Sequence, residues 1–510
     1  MIPLTIAEVA DIVGGRLADI TAEQAAATRI TGTVEFDSRR VTPGGLFLAL
    51  PGARADGHDF AAAAIESGAV AVLAARPVGV PAIIAPPATG DAQASVLEHD
   101  TDGSGAAVLA ALAKLAAAVA ARLVSRGLRI IGVTGSSGKT STKDLIAAVL
   151  APLGEVVAPP GSFNNELGHP WTVLRATEST DFLVLEMSAR RRGNIAALAA
   201  IAPPQIAVVL NVGTAHLGEF GSRHAIVETK AELPQSVPPD GAVILNVDDP
   251  AVAGMADRTA ARVVRVSRSP GADVWAGEVT LDELARPRFR LHAGDRAVEV
   301  ALAVHGDHQV SNALCAAAVA LECGAGLEQV AAALSNAGPV SAHRMQVVTR
   351  GDGVTVINDA YNANPDSVRA GLKALVWMAR QGAEPRRSWA VLGEMAELGE
   401  DAISEHDAIG RTAVRLDVSR LVVVGTGRAM SAMHHGAVME GSWGSESTMV
   451  PDADAALALL RSELQAGDVV LVKGSNAVGL AALAEALIAD AAPDGQTLTT
   501  QAPDPQDPTA

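Results

Sequence analysis

Short apolar runs bounded by glycine and proline recur along the chain, alternating with stretches whose apolar residues repeat at helical spacing. In the first hundred residues the runs lie at 46–50, 70–73 and 83–84, with a helical pattern at 60–67, which predicts a small α/β unit. A polar, glycine-containing stretch at 98–105 predicts a linker. Beyond it, Leu109, Leu112, Leu115, Val119 and Leu123 share one side of a helix over 106–124. That helix is the one candidate membrane span. Lys114 interrupts it and Arg122 lies near its end, so an amphipathic helix beside a domain boundary is expected, without membrane insertion.

From 128 the order becomes strand (128–133), glycine loop (134–139) and helix (140–150), and apolar strands follow at 182–185, 206–210 and 242–245. Near-continuous apolar runs separated by helices predict a parallel sheet covered on both faces. The stretch 263–304 is strand-rich and predicts an inserted or appended antiparallel portion; 312–323 then reads as a helix. A third unit begins near Pro339, with strands at 354–357, 389–392, 421–424 and 469–472 between helices, the order of a doubly wound, Rossmann-like sheet. After Asp490 the apolar periodicity stops, and 491–510 is expected to be a disordered tail. The fold class is therefore α/β, with three domains expected at 1–104, 105–338 and 339–490, since 510 residues exceed what one core usually organises.

Apolar residues make up 49% and charged residues 19%, a globular balance. Thirty-nine basic against 57 acidic residues leave a net charge of −18, which repels polyanions and argues against a nucleic-acid partner. The basic triplet Arg190-Arg191-Arg192 reads as a solvated loop. Cys315 and Cys323 lie eight apart in a helical stretch. That spacing is roughly 12 Å, beyond disulfide reach, so a reducing compartment is expected. The start, Met1-Ile2-Pro3-Leu4-Thr5-Ile6-Ala7-Glu8, lacks the basic region of a signal peptide.

Chemistry concentrates in Gly132-Val133-Thr134-Gly135-Ser136-Ser137-Gly138-Lys139-Thr140-Ser141. Glycines let such a loop fold tightly, so that its N–H groups converge on phosphate oxygens, and the helix N-terminus adds partial positive charge. Lys139 would neutralise β and γ oxygens, and Thr140 would set a hydroxyl on Mg²⁺. The strict phosphate loop has a glycine where Val133 stands, so the match is to the core Gly135-Ser136-Ser137-Gly138-Lys139-Thr140. Such a loop needs an acid at the end of a neighbouring strand to hold the metal, and Phe182-Leu183-Val184-Leu185-Glu186 supplies Glu186.

Further segments, taken with the loop, resemble the Mur ligase family. Leu210-Asn211-Val212-Gly213-Thr214-Ala215-His216-Leu217 is similar to the family's Asn…Ala-His segment, and Lys230, in Glu228-Thr229-Lys230-Ala231-Glu232, matches its modified lysine. Gly306-Asp307-His308-Gln309-Val310-Ser311-Asn312-Ala313 is similar to Gly-x-His-Asn-x-x-Asn, with Gln309 in place of the first asparagine. Arg344 matches an arginine at the start of the family's C-terminal domain. The string from Asp37-Ser38-Arg39-Arg40 to Pro51-Gly52 resembles the domain that binds UDP-linked precursors. Ser162-Phe163-Asn164-Asn165-Glu166-Leu167-Gly168-His169-Pro170, the segment around Asp359 and Leu392-Gly393-Glu394-Met395-Ala396-Glu397-Leu398-Gly399 resemble the branch that adds D-alanyl-D-alanine. Leu471-Val472-Lys473-Gly474-Ser475 matches as well, with Asn476 where arginine is usual.

The resemblance spans residues 1 to 490 and implies the three-domain Mur ligase architecture. It implies an ATP-dependent ligase that joins D-alanyl-D-alanine to UDP-N-acetylmuramoyl-tripeptide through an acyl phosphate, giving the pentapeptide precursor of peptidoglycan. ATP would meet Gly135, Ser136, Ser137, Gly138, Lys139, Thr140, Ser141, His308, Asn312, Arg344 and Asp359. Of two Mg²⁺ ions, Thr140 and Glu186 would hold the first. His216 and Lys230, carrying a CO₂-derived carbamate, would hold the second. Lys139 and Arg344 would neutralise charge in the reaction, and Ser38, Arg39, Asn164, Asn165 and Ser188 would meet the precursor. A cytoplasmic monomer that closes about a hinge is expected. Two alternatives stand beside this reading. One is a folylpolyglutamate synthase-like ligase, whose loop ordinarily reads Gly-Lys-Gly-Ser against Gly138-Lys139-Thr140-Ser141 here; the other is a phosphate-loop NTPase binding module without ligase activity. The charge of −18 leaves a question: a doubly anionic substrate is attracted only if basic residues such as Arg39, Lys143 and Arg190 concentrate locally.

Overall fold

The computed structural model describes residues 1–88, 99–213, 217–382, 384–441, 444 and 446–490; His216 and the expected tail at 491–510 lie outside the described residues. In the first unit a five-stranded sheet runs in the order Arg16–Ala18, Ala82–Ile84, Ala69–Ala74, Gly45–Leu48, Val34–Glu35. Its first pair is antiparallel and the other three are parallel. The opening helix Ile6–Val13 is fixed by its ends, where Thr5 and Glu8 form a reciprocal capping box and Gly14 closes the helix at φ +69°.

The helix Ser104–Val124 begins inside the stretch read as linker: Ser104 and Gly105 are already helical and buried. The polar residues that suggested a linker are caps, with Asp102 Oδ1 accepting from Ser104 N at 3.0 Å and Asp100 Oδ2 from Ala106 N at 2.8 Å. This helix is long and apolar enough to cross a membrane, yet Leu109, Leu112, Leu115, Val119 and Leu123 are all buried within the protein. They pack in a core shared by the first sheet and one face of the central sheet. Burial of such a side chain is worth about 2 kcal/mol, so the helix ties the two units together.

The central sheet has nine strands. From one edge they run Val156–Val157, Phe182–Glu186, Arg129–Thr134, Ile206–Val209, Ala242–Asn246, Arg262–Ser267, Val274–Leu281, Pro287–Ala293 and Arg296–Ala301. The stretch 263–304 is thus neither an insertion nor wholly antiparallel. Arg262–Ser267 and Val274–Leu281 continue the parallel sheet, and the last two strands turn antiparallel. The misreading has a physical cause: Val274–Leu281 is buried only at Val274 and Ala276 and is half-buried or exposed elsewhere, so it lacks the continuous apolar run of a parallel strand covered on both faces. The helix expected at 312–323 spans Gln309–Glu322 and packs on the helix Lys139–Leu150. Both cysteines are free thiols.

A third sheet runs Gln346–Thr349, Thr355–Asn358, Val469–Lys473, Ser388–Leu392, Arg420–Val424, Ser447–Val450, antiparallel at the first pair and parallel thereafter. Separate apolar cores cover its two faces, as a doubly wound sheet requires. The edge strands Gln346–Thr349 and Ser447–Val450 left no apolar run to read, since both are short and partly exposed. The carboxyl ends of the central and third sheets face one cleft.

Several histidines are buried, and His169 is the extreme case: fully buried, its ring nitrogens without a hydrogen-bond partner in normal geometry. Burial pulls its pKa down from 6.5 to about 4. The unfolded chain therefore takes up this proton near pH 6.5 and the folded chain only near pH 4, so the associated stability is complete above pH 6.5 and is lost as pH falls to 4. That loss is on the order of 3 kcal/mol. Burial lowers His305, His308 and His406 in the same direction. The melting temperature is expected to fall steeply between pH 6.5 and 4, with a shallower fall in His169→Gln; an identical slope in both would contradict this assignment.

Candidate active site

The strand Arg129–Thr134 lies between Phe182–Glu186 and Ile206–Val209, third from one edge of the sheet, and delivers the chain to the phosphate loop. Gly138 adopts φ +80°, and a Cβ there would stand 2.7 Å from Asn312 Oδ1, so both backbone and space require glycine. The helix Lys139–Leu150 follows directly, with its first N–H groups turned to the cleft side. Asn211 shapes the loop: its Oδ1 accepts from Ser136 N and Ser137 N at 3.0 Å each, and its Nδ2 donates to Ser137 O at 3.2 Å. Lys139 Nζ folds back to Gly135 O at 2.8 Å. Burial pulls the Lys139 ammonium below its usual pKa, and the Glu186 charge opposes this.

Glu186 ends its strand fully buried, opposite Val133. Its Oε2 accepts from Thr140 Oγ1 at 3.3 Å, Ser162 Oγ at 3.4 Å and Asn164 Nδ2 at 3.3 Å, whereas Oε1 is buried without a partner. An orphaned carboxylate oxygen inside a protein is costly. Beside a threonine hydroxyl at a phosphate loop it fits a hard cation such as Mg²⁺, which takes one or two protein oxygens and completes its shell with water and phosphate. Lys230 sits on the helix Arg223–Ser236, 7% exposed, and burial with the nearby Lys139 charge pushes its pKa well below the usual value. A neutral amine is the form that reacts with CO₂. His216, its expected companion, lies outside the described residues.

Across the cleft, Arg344 stands between His343 and Met345, non-glycine residues at φ +56° and +49°. Its guanidinium carbon lies 4.2 Å from the centre of the Tyr361 ring, and its Nε is buried without a partner. Asp359 accepts from Met345 N at 3.1 Å and pairs with Lys473 Nζ at 2.6 Å; Lys473 also donates to Asn362 O at 2.9 Å. Asp359 therefore lines the cleft already committed to protein partners. Gln309, which departs from the family's asparagine, is buried and accepts from Asn312 Nδ2 at 2.8 Å, fixing the amide beside Gly138.

One cleft of about 1370 Å³ gathers Ser136 to Ser141, Asn164, Asn165, Ser188, His308, Asn312, Arg344 and Asp359. Glu186 is buried behind Thr140, and Lys230 is buried within range of the Lys139 charge. Asn165 uses its side-chain oxygen on Leu167 N and Gly168 N, at the start of the helix Gly168–Val173. Ser38 and Arg39 are not brought to the cleft: they form a short turn, with exposed Arg39 paired to Asp37. The first unit does touch the site's edge, where Phe36 meets Phe163 and Trp171, and Trp171 Nε1 donates to Val34 O at 2.8 Å. The triplet read as a solvated loop is otherwise placed too, since Arg190 and Arg191 line the cleft. Sequence reasoning missed Ser162 and Lys473 as contributors, and Asn211 was noted only as a letter in a motif.

Three family models match: "Mur ligase family, catalytic domain" at residues 31–120, "Mur ligase middle domain" at 133–320 and "Mur ligase, glutamate ligase domain" at 343–476. The UDP-N-acetylmuramoyl-tripeptide--D-alanyl-D-alanine ligase of Mycobacterium tuberculosis is 75% identical over 502 residues, 96% of this chain and 98% of that protein. Among solved structures, MurF from Acinetobacter baumannii aligns with a TM-score of 0.79 at 28% identity, covering 96% of this chain and 99% of that one. MurF ligase from Thermotoga maritima in complex with ADP aligns with a TM-score of 0.71 at 28% identity, covering 89% and 97%.

Replacing Asn211 by alanine releases the two loop N–H groups that it holds. Titration of a nucleoside triphosphate by calorimetry is expected to give about tenfold weaker binding or more in Asn211→Ala. Unchanged affinity would show that the loop holds its shape without this side chain.

Proposed function

The chain belongs to the Mur ligase family, and we propose from this premise how its cleft carries out the family's chemistry. The protein is an ATP-dependent ligase of peptidoglycan synthesis that adds D-alanyl-D-alanine to UDP-N-acetylmuramoyl-tripeptide. The observation that carries the residue-level reading is Glu186, with one oxygen orphaned beside Thr140 on the phosphate loop, in a cleft that Arg344 lines from another domain.

A carboxylate is a poor electrophile. In the proposed course an oxygen of the tripeptide's terminal carboxylate bonds to the γ-phosphorus of ATP as the bond from that phosphorus to ADP breaks and ADP leaves, which removes the carboxylate's charge and provides a leaving group. The ammonium of D-alanyl-D-alanine first gives up a proton to water, and the resulting amine attacks the acyl carbon; the C–N bond forms and the C–O bond to phosphate breaks, its electron pair leaving with phosphate, which takes up the second proton from nitrogen. The N-terminus of Lys139–Leu150 holds the phosphates, the Ser136 and Ser137 N–H groups being engaged by Asn211, while Lys139 and Arg344 neutralise charge on the transferring group. Asn164 and Ser188, joined by the Ser188 N to Asn164 O hydrogen bond at 3.1 Å, flank the precursor's peptide end. Thr140 and Glu186 would hold magnesium, which would supply charge neutralisation and orientation of the phosphates. Lys230 is carried as a carbamate: burial lowers its pKa well below the usual value, which favours the amine, and addition of CO₂ with release of a proton converts it to an anionic oxygen donor. His216 is assigned to the second metal by resemblance alone. The protein acts as a cytoplasmic monomer, a placement supported by its free thiols and by the helix Ser104–Val124 burying its apolar side in the core.

Phosphate release is expected only when ATP, UDP-N-acetylmuramoyl-tripeptide and D-alanyl-D-alanine are all present; release without the dipeptide at an equal rate would favour a plain NTPase. Lys230→Ala is expected to abolish ligation, and Lys230→Glu, which restores an anionic oxygen, to recover part of it. Wild-type activity in Lys230→Ala would refute the carbamate.

A further inference from the structure

One ion pair in the cleft crosses between domains and has no task in the course above. Arg190, in the loop after Phe182–Glu186, donates from Nη2 to Glu397 Oε1 at 2.8 Å, and Glu397 lies beyond the third-sheet strand Ser388–Leu392. Arg190 Nε is also 3.6 Å from Glu219. The two side chains of the crossing pair line the cleft, 44% and 32% exposed. A pair so well wetted is worth about 1 kcal/mol or less, so a ligand of matching charge opens it at little cost.

Glu397 is held in place deliberately. Its φ of +64° lies in the left-handed region, rare for a non-glycine residue and typical of functional positions. Neighbouring contacts enforce it. Met395 N donates to His406 Nε2 and Ala396 N to Ser475 Oγ, each at 2.9 Å. Gly399 lies against Gly218 so closely that a Cβ on either would come within about 2.5–2.6 Å of the other's backbone. The carboxylate is thereby aimed where the central and C-terminal domains meet, close enough for its charge to act on Lys139.

A carboxylate beside a phosphate cradle repels ATP and the precursor alike; its complement is an ammonium. D-alanyl-D-alanine is a zwitterion, with an ammonium at one end and a carboxylate at the other. We propose that Arg190 and Glu397 are the two halves of the acceptor subsite, pairing with each other until the dipeptide separates them, its ammonium on Glu397 and its carboxylate on Arg190. The inference rests on the ligase reading and assigns the acceptor end of that same site. It sets the amine on the Lys139 side, towards the acyl phosphate, and the free carboxylate on the side of the basic loop.

Steady-state kinetics of Glu397→Gln and Arg190→Gln, with D-alanyl-D-alanine and with D-alanyl-D-alaninamide as acceptors, tests this. Both variants are expected to raise KM for D-alanyl-D-alanine by about tenfold or more, with a much smaller change in KM for ATP and the tripeptide. Wild type is expected to prefer the acid over the amide by a similar factor, a preference that Arg190→Gln loses. Equal rises in all three KM values would reveal a domain latch and overturn the proposal, as would an undiminished preference for the acid in Arg190→Gln. If a Gln variant fails to fold, as judged by melting, Arg190→Lys decides: it keeps the charge and should keep the preference while weakening it. Absence of dipeptide-dependent ADP formation in wild type would instead refute the ligase reading itself.

Discussion

Like charges must be pressed together here. A triphosphate, a carboxylate to be activated and the Glu186 side chain have to share one small volume. Two unit charges 4 Å apart interact by about 1 kcal/mol in water and several times that in a poorly solvated cleft. The arrangement therefore depends on positive charge that is fixed before the reactants arrive. A helix N-terminus, Lys139 and Arg344 supply it, and magnesium would complete the balance. The chain as a whole carries −18, yet among the described residues its cleft is lined by seven basic and seven acidic side chains. The cleft lining is thus locally balanced within an acidic protein, and magnesium set against the additional charge of Glu186 would tip the site towards anions. That answers how a doubly anionic precursor is attracted. Arg39 and Lys143 are not part of the answer, since Arg39 pairs with Asp37, and buried Lys143 pairs with Asp144 and donates to Pro159 O.

The fold meets the constraint by pointing the carboxyl ends of two parallel sheets at each other, the place where open α/β sheets usually bind ligands. Close approach is bought with glycine at few positions: Gly138 lets Asn312 touch the loop, and Gly218 with Gly399 lets the domains meet backbone to backbone. Cations and anions come from both sides of the junction, so neither domain alone presents the site. The first unit reaches its edge through Phe36, which meets Phe163 and Trp171 next to Asn164.

Much of this was legible in the letters, for identifiable reasons. Buried parallel strands are apolar on both faces, so 128–133, 182–185 and 206–210 stood out, and a glycine loop with Lys139 and Thr140 has few other uses. Strands buried at only a few positions were misread, as in Val274–Leu281, and short edge strands were invisible. Caps were mistaken for a linker before Ser104, because Asp and Ser serve both. At the site, residues that act on the loop or on Glu186 through hydrogen bonds, such as Asn211, Ser162 and Lys473, carry no motif chemistry of their own. The pairing of Arg190 with Glu397 joins positions 207 apart, which no local pattern signals.

The central claim is that an oxygen of the tripeptide carboxylate attacks the γ-phosphorus before any amide forms. The most direct measurement supplies UDP-N-acetylmuramoyl-tripeptide with heavy oxygen in its terminal carboxylate and analyses the released phosphate by mass spectrometry after ligation. The account predicts that each phosphate carries one atom drawn from that carboxylate. Unlabelled phosphate, with the label retained in the peptide or lost to water, would contradict it.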